Sequence, residues 1–406
     1  MQHMKLKLAA AITAALLSTN AMADAWDVAQ TSTVEDSTEV KQQGATAGAL
    51  QALNAVSSTT ATIKGTQDVN MGANKLTLTQ GGTTGTSTQA ANYISAAALD
   101  STNPVASATA NVTQKSSGSG AIELNQKDTA AVAGPPAVDA ATLGASNTQA
   151  FNMVKGHTVD KLEQLVTSSS TAINLNQETT TGSSGGSPTA NNNTQTLNNV
   201  ETDTELGASV ASVKQKASSA GTITLSQKGA GIKQVQAVNR ISAKTVTGTV
   251  LQDIQGELSL TQGDAAGPTI GAGSVQAGNY LVSPGSVSGV TQTIGTSGTS
   301  KDVTLTQNYS NGDATNGAII QAGNLIDSSA AGALLASTTQ NLYTDGELTL
   351  AQASTGKALQ AGNAVLTGNS ATTNAVTQNF GVTTLAMSQT GASGSRQAAN
   401  YVGVAP

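Results

Sequence analysis

The sequence predicts an all-β protein, a β-solenoid or cross-β stack of about eight to nine repeats with roughly three short strands per coil. Two short motifs recur along the chain, a weaker third motif recurs between them, and the composition is too poor in large side chains for a thick globular core.

The first motif alternates aliphatic and variable residues and ends in Gln. It reads LTLTQ at Gln80, IELNQ at Gln126, INLNQ at Gln177, ITLSQ at Gln227, LSLTQ at Gln262, VTLTQ at Gln307, LTLAQ at Gln352 and LAMSQ at Gln389. Period-two alternation is the mark of a strand, so Leu258, Leu260 and Gln262 share one face and Ser259 and Thr261 the other. The glutamine is expected to point where the leucines point.

The second motif is Gln, usually Ala, a variable residue, Asn, a variable residue and an aliphatic one. It starts at Gln51, Gln89, Gln149, Gln195, Gln236, Gln276, Gln321, Gln360 and Gln397. From the second copy on, its asparagines are Asn92, Asn152, Asn198, Asn239, Asn279, Asn324, Asn363 and Asn400. Strict alternation would put the small residue, the Asn and the final aliphatic on one face, although spacing alone leaves open whether that face points inward. The third motif has an aliphatic residue or Thr two places before Gln114, Gln164, Gln215, Gln252, Gln292, Gln340 and Gln378, and Gln67 can head that series with Gly65 in the apolar place.

An inward amide without partners costs roughly 1 to 3 kcal/mol, too much to repeat along a chain. Recurrence at equivalent places removes the cost if each amide donates to its copy in one coil and accepts from its copy in another, as in cross-β ladders. The first-motif glutamines and the second-motif Gln and Asn residues from Gln89 onward are therefore the expected assembly ladders. A coil of three strands rises about 4.8 Å, so the whole stack would be roughly 40 Å tall.

Only 2% of residues are aromatic and 10% charged, and there is no cysteine, so thin aliphatic layers and hydrogen bonds must supply the rigidity. Residues 1–23 read as a secretory signal: Lys5 and Lys7 precede an apolar run from Leu8 to Leu17, and Ala21-Met22-Ala23 is a cleavage pattern. Its removal takes the formal charge from −6 to about −8, which argues against nucleic acid as a partner. No later apolar run is long enough for a transmembrane anchor. Residues 24–48 form an acidic, polar segment holding the only tryptophan, Trp26, and read as a disordered or capping terminus. Residues 49–406 are the β-repeat array. Variable insertions at 134–146, 179–193 and 263–274 fall between the first and second motifs, which marks that corner as solvent-facing.

Catalytic, cofactor and metal sites are not expected. His157 is the one histidine outside the leader, the group Glu201, Asp203 and Glu205 lacks calcium-loop spacing, and the Gly-rich stretch around Gly182, Gly185 and Gly186 lacks a phosphate loop's Lys-Ser/Thr. An exported, cysteine-free, Gly/Gln/Asn/Ala-rich chain with QAGN and AGNYL repeats resembles the bacterial functional amyloids of the curli and Fap type. The resemblance covers most of residues 75–402. It implies a secreted subunit that polymerises head-to-tail with itself into biofilm or surface fibres outside a bacterium, helped by an outer-membrane exporter and a nucleator. Two other readings stand beside it. One is a monomeric surface adhesin. The other is an ice-binding solenoid, suggested by the outward pairs Thr77 with Thr79 and Thr304 with Thr306.

Overall fold

The structure, a computed structural model, describes residues 25–43, 48–58, 61–81, 87–99, 112–128, 147–169, 172–179, 193–202, 209–229, 233–263, 273–296, 301–308, 318–328, 334–354, 356–368, 372–390 and 394–406. The proposed leader and most of those three insertions lie outside these residues, as do Asp203, Glu205 and the side chain of His157.

The described residues are all-β and wind through nine coils. Each coil passes through a third-motif strand, then a first-motif strand, then a second-motif strand, and each strand pairs in parallel with its counterpart one coil away. Like lies over like. Gln262 aligns with Gln227 on one side and Gln307 on the other, and Asn279 aligns with Asn239 and Asn324. In four coils the third- and first-motif strands are one continuous run: Ser209–Lys228, Val250–Gln262, Leu334–Ala353 and Thr372–Thr390.

The acidic segment belongs to the stack. Ala25–Thr33 pairs with Thr62–Gly72, and Thr38–Gln43 pairs with Leu76–Gly81, so these two strands supply a first coil whose Gln30 and Gln42 align with Gln67 and Gln80. Residues 25–43, expected as a disordered or capping terminus, are thus ordered as the end coil of the stack.

Strict alternation holds for the first motif and fails within the second. Gln276, Asn279 and Leu281 face inward, whereas Ala277 packs with Val275 and Tyr280 on the other side. The small residue and the Asn therefore do not share a face. The reason is a bend at the variable residue between them: pairing skips that position in copy after copy, and Phe151, Leu197 and Val238 occupying it turn into the core beside the asparagine. Two successive inward residues carry the chain round a corner, so the Gln half faces the first-motif strand and the Asn half faces the third.

Amides divide the interior into two apolar columns. One joins the first-motif leucines to Phe151, Leu197 and Val238 and to Val166, Ile254, Ile294 and Leu342, each two places past a third-motif Gln. The other joins Val112, Leu162, Val213, Val250 and Val290 to the aliphatic residues that end the second motif, Ile94, Val154, Val200, Ile241, Leu281 and Ile326. In the first column, volume is exchanged across the coil. Phe151 faces a coil with the small Ser116 and Val238 one with Ala217, while Gly278, Gly323 and Gly362 occur where Ile254, Ile294, Leu342 and Phe380 reach in. A Cβ on Gly278 would come 2.6 Å from Cδ1 of Ile294. Interiors packed to crystal-like density tolerate such swaps only when the summed volume is kept.

Tight corners separate third- from first-motif strands. Gly256 has φ +128°, and a Cβ there would lie 2.5 Å from the carbonyl oxygen of Ser219 in the neighbouring coil. Gly72, at φ +53°, has open space around the same position. On the outward face, burial pushes the Tyr280 phenol far above its ordinary range, with the Asp327 charge adding to the effect. A raised folded-state pKa leaves stability intact below the ordinary tyrosine value of about 10 and erodes it as pH climbs toward the folded value.

Two outcomes follow for thermal or denaturant unfolding. Gly72→Ala should cost about 1 kcal/mol from left-handed strain alone, whereas Gly256→Ala should cost about 3 kcal/mol or more, because a backbone carbonyl must also move. Equal losses would mean that the coils are not in close contact at this corner. Tyr280→Phe should unfold like the parent at pH 7 and outlast it above about pH 10; parallel pH profiles would mean that the phenol is not buried.

Candidate functional site: four amide ladders and the end coils

The glutamines and asparagines of the motifs form four continuous ladders through the nine coils. In the first-motif ladder Gln80 donates from Nε2 to Oε1 of Gln42, and the series continues through Gln126, Gln177, Gln227, Gln262, Gln307, Gln352 and Gln389 at 2.7–2.8 Å per step. The second-motif glutamines Gln89, Gln149, Gln195, Gln236, Gln276, Gln321, Gln360 and Gln397 rise likewise from Gln51, at 2.6–2.9 Å. The asparagines run from Asn54 through Asn92, Asn152, Asn198, Asn239, Asn279, Asn324 and Asn363 to Asn400, at 2.8–2.9 Å.

A fourth ladder is built from the third motif: Gln30, Gln67, Gln114, Gln164, Gln215, Gln252, Gln292, Gln340 and Gln378, at 2.7–2.9 Å per step. Sequence reading recognised the recurrence of these glutamines from Gln67 onward but did not count them among the ladder residues. Their shared position two places after an apolar residue was the available signal. Gln30, Gln42, Gln51 and Asn54 are the further ladder members that it missed.

Nearly every one of these amides has a second role. Its other N–H ties neighbouring strands together: Gln252 Nε2 bonds the carbonyl of Tyr280 at 3.3 Å, Gln262 that of Val275 at 3.2 Å, Gln276 that of Thr306 at 2.9 Å, and Asn279 Nδ2 that of Thr293 at 2.9 Å. A ladder amide thus donates twice and accepts once without water, which is why Gln227, Gln262, Gln276 and Asn279 are wholly buried at no desolvation deficit. The strand-linking bonds also fix which end of each amide is nitrogen, since a flip would set oxygen against oxygen.

Outward faces are more varied. Several charge pairs join adjacent coils in register, among them Lys64 with Asp27 at 3.4 Å, Lys115 with Asp68 at 3.5 Å, Lys127 with Glu178 at 3.1 Å and Lys214 with Glu163 at 2.7 Å. Being solvent-exposed they add little stability each, but they disfavour a slipped register. Glu123, hydrogen-bonded by Asn125 and paired with Lys75, is held below the usual carboxylate range. It also lies over Thr77, as Asn125 lies over Thr79 and Ala351 over Thr306, so the outward threonine row is broken. Glu201 aligns with Lys155 of the adjacent coil. Among the described residues no three His, Cys, Asp or Glu side chains converge, and no helix is long and apolar enough to cross a membrane.

The end coils differ from the middle ones in their strand pairing. Among the described residues, Thr372–Thr390 and Arg396–Gly403 pair on one side only, and so do Ala25–Thr33 and Thr38–Gln43. Side chains buried in every middle coil are uncovered there: Leu385 is 43% and Val402 47% exposed. Residues 404–406 do not cross that end. Arg396 and Tyr401 hold the Val404 carbonyl, and Ala405 packs on the outward apolar face.

No protein-family model, curated protein or solved structure matches this chain.

Replacing Gln262 by Leu strands the Oε1 of Gln227, the Nε2 of Gln307 and the Val275 carbonyl at once. At roughly 1 to 3 kcal/mol per unpaired group, Gln262→Leu should cost about 3–5 kcal/mol, while the outward Thr261→Ala should stay within about 0.5 kcal/mol. Comparable losses in a denaturant titration would mean that the faces are reversed.

Proposed function

We propose that this chain is a structural subunit, exported by a bacterium, that polymerises by adding coil upon coil into an extracellular fibre of the biofilm matrix or cell surface. One observation carries the reading: the first and last coils repeat the cross-section of the middle ones, in register, yet among the described residues they are paired on one side only. Unpaired strand edges invite further strands, and here the edges come with amides and aliphatic side chains already set in rows. Growth would be templated strand addition, driven by main-chain hydrogen bonds, amide ladders and thin apolar layers. A signal-like leader, the absence of cysteine and the resemblance to curli- and Fap-type subunits support export, and an outer-membrane exporter and a nucleator are its proposed helpers. No catalytic role is proposed, because the conspicuous polar groups are spent on one another.

Purified chain lacking residues 1–23, incubated for days and viewed by negative-stain electron microscopy, should form unbranched fibres. Persistent monomers would contradict the proposal and favour a monomeric adhesin.

A further inference from the structure

The ladders have direction. In all three glutamine ladders each Nε2 donates toward the N-terminal end of the stack, as Gln378 does to Gln340, Gln389 to Gln352 and Gln397 to Gln360. The asparagine ladder runs oppositely, with Asn54 donating to Asn92 and Asn363 to Asn400. The C-terminal face therefore ends in three amide acceptors, Oε1 of Gln378, Gln389 and Gln397, and one donor, Nδ2 of Asn400. The N-terminal face carries the complement: the Nε2 groups of Gln30, Gln42 and Gln51 end the glutamine ladders, and the Asn54 oxygen ends the asparagine ladder. In the free chain three of these are held within their own coil: Asn54 Oδ1 accepts from the Ser32 hydroxyl at 2.8 Å, Gln51 Nε2 donates to the Val40 carbonyl at 3.2 Å, and one N–H of Gln30 Nε2 donates to the Ala55 carbonyl at 3.1 Å.

Resting on the fibre reading above, we infer that the contact between copies is polar and in register: the C-terminal face of one chain receives the N-terminal face of the next, with Gln30, Gln42, Gln51 and Asn54 continuing the ladders of Gln378, Gln389, Gln397 and Asn400. Only this arrangement sets three donors on three acceptors and one acceptor on one donor. Two N-terminal faces meeting would oppose donor to donor. Aliphatic columns continue across the same junction, because Val28, Val40 and Val56 hold the coil positions of Val376, Met387 and Val402. Charge acts the same way. Residues 25–58 carry Asp27, Glu35, Asp36 and Glu39 against Lys41, whereas residues 372–406 carry Arg396 and no acidic side chain. Like faces of the N-terminal kind would repel, and unlike faces would not. The contact is thus heterologous and does not close on itself, the geometry that yields filaments rather than dimers.

The chain has no cysteine, so an engineered pair reads the contact directly. Ala29 and Thr377 occupy the same outward coil position, both exposed and in none of the four ladders. Stacked parallel strands would bring them to about 4.8 Å between Cα atoms, inside disulfide range. Under mild oxidation, fibres of the double variant Ala29→Cys, Thr377→Cys should run on non-reducing gels as a ladder of covalent multimers. Fibres mixed from the two single variants should give dimers containing one of each. Fibres that form but cross-link only between like single variants, or not at all, overturn the polar contact and leave the fibre reading standing. If microscopy of the unmodified chain shows no fibres, the fibre reading and this inference fall together.

Discussion

A carboxamide taken out of water must find partners, and this chain buries rows of them. That constraint shapes the rest of the structure. A side-chain amide has two donor hydrogens and an acceptor oxygen, and within an apolar layer the arrangement that serves every copy alike is a column of identical amides one coil apart, each also bonded to a backbone carbonyl across the interior. Once the columns exist, the coils have to be the same size, the strands parallel and the register unslipped. Nine coils joined by loops of very different length obey those terms at every step, which places the variability of the chain in its loops and its sameness in its cross-section.

Packing is subordinate to that frame. The aliphatic layers on either side of the amides are thin and permit exchange, as where Phe151 is replaced by Gly362 while the facing residue grows from Ser116 to Leu342. Such trades are open to a core held by hydrogen bonds and filled by methyl groups, since the amides set the spacing and the aliphatics need only fill it. The corners obey a harder rule. Where coils turn with positive φ against a neighbouring carbonyl, as at Gly256, there is no room for a side chain.

Much of this was legible in the sequence. LxLxQ announced strands with an inward Gln, and the recurrence of Gln and Asn implied ladders. The third-motif ladder was harder to see because a lone Gln after one apolar residue is a short signal, weakened by Gly65 and Thr338 in the apolar place. The first coil was hidden by its composition: VAQTST and EVKQQ carry Gln30 and Gln42 at the right places, but Asp27, Glu35, Asp36 and Glu39 gave the stretch the look of a solvated terminus. The face of the second motif could not be read by period two, because a bend at residues such as Val238 and Gly278 turns two neighbours inward together.

Side-chain amide hydrogen exchange, followed by NMR on the monomer with Gln and Asn labelled, tests the in-register columns most directly. The carboxamide protons of ladder members such as Gln227, Gln262, Gln276 and Asn279 should be protected for as long as the backbone amides of the strands that bear them, while those of an exposed outward amide such as Asn70 exchange at solvent rates. Uniformly fast exchange across all carboxamides would show that the interior is wet and that the columns do not hold the coils together.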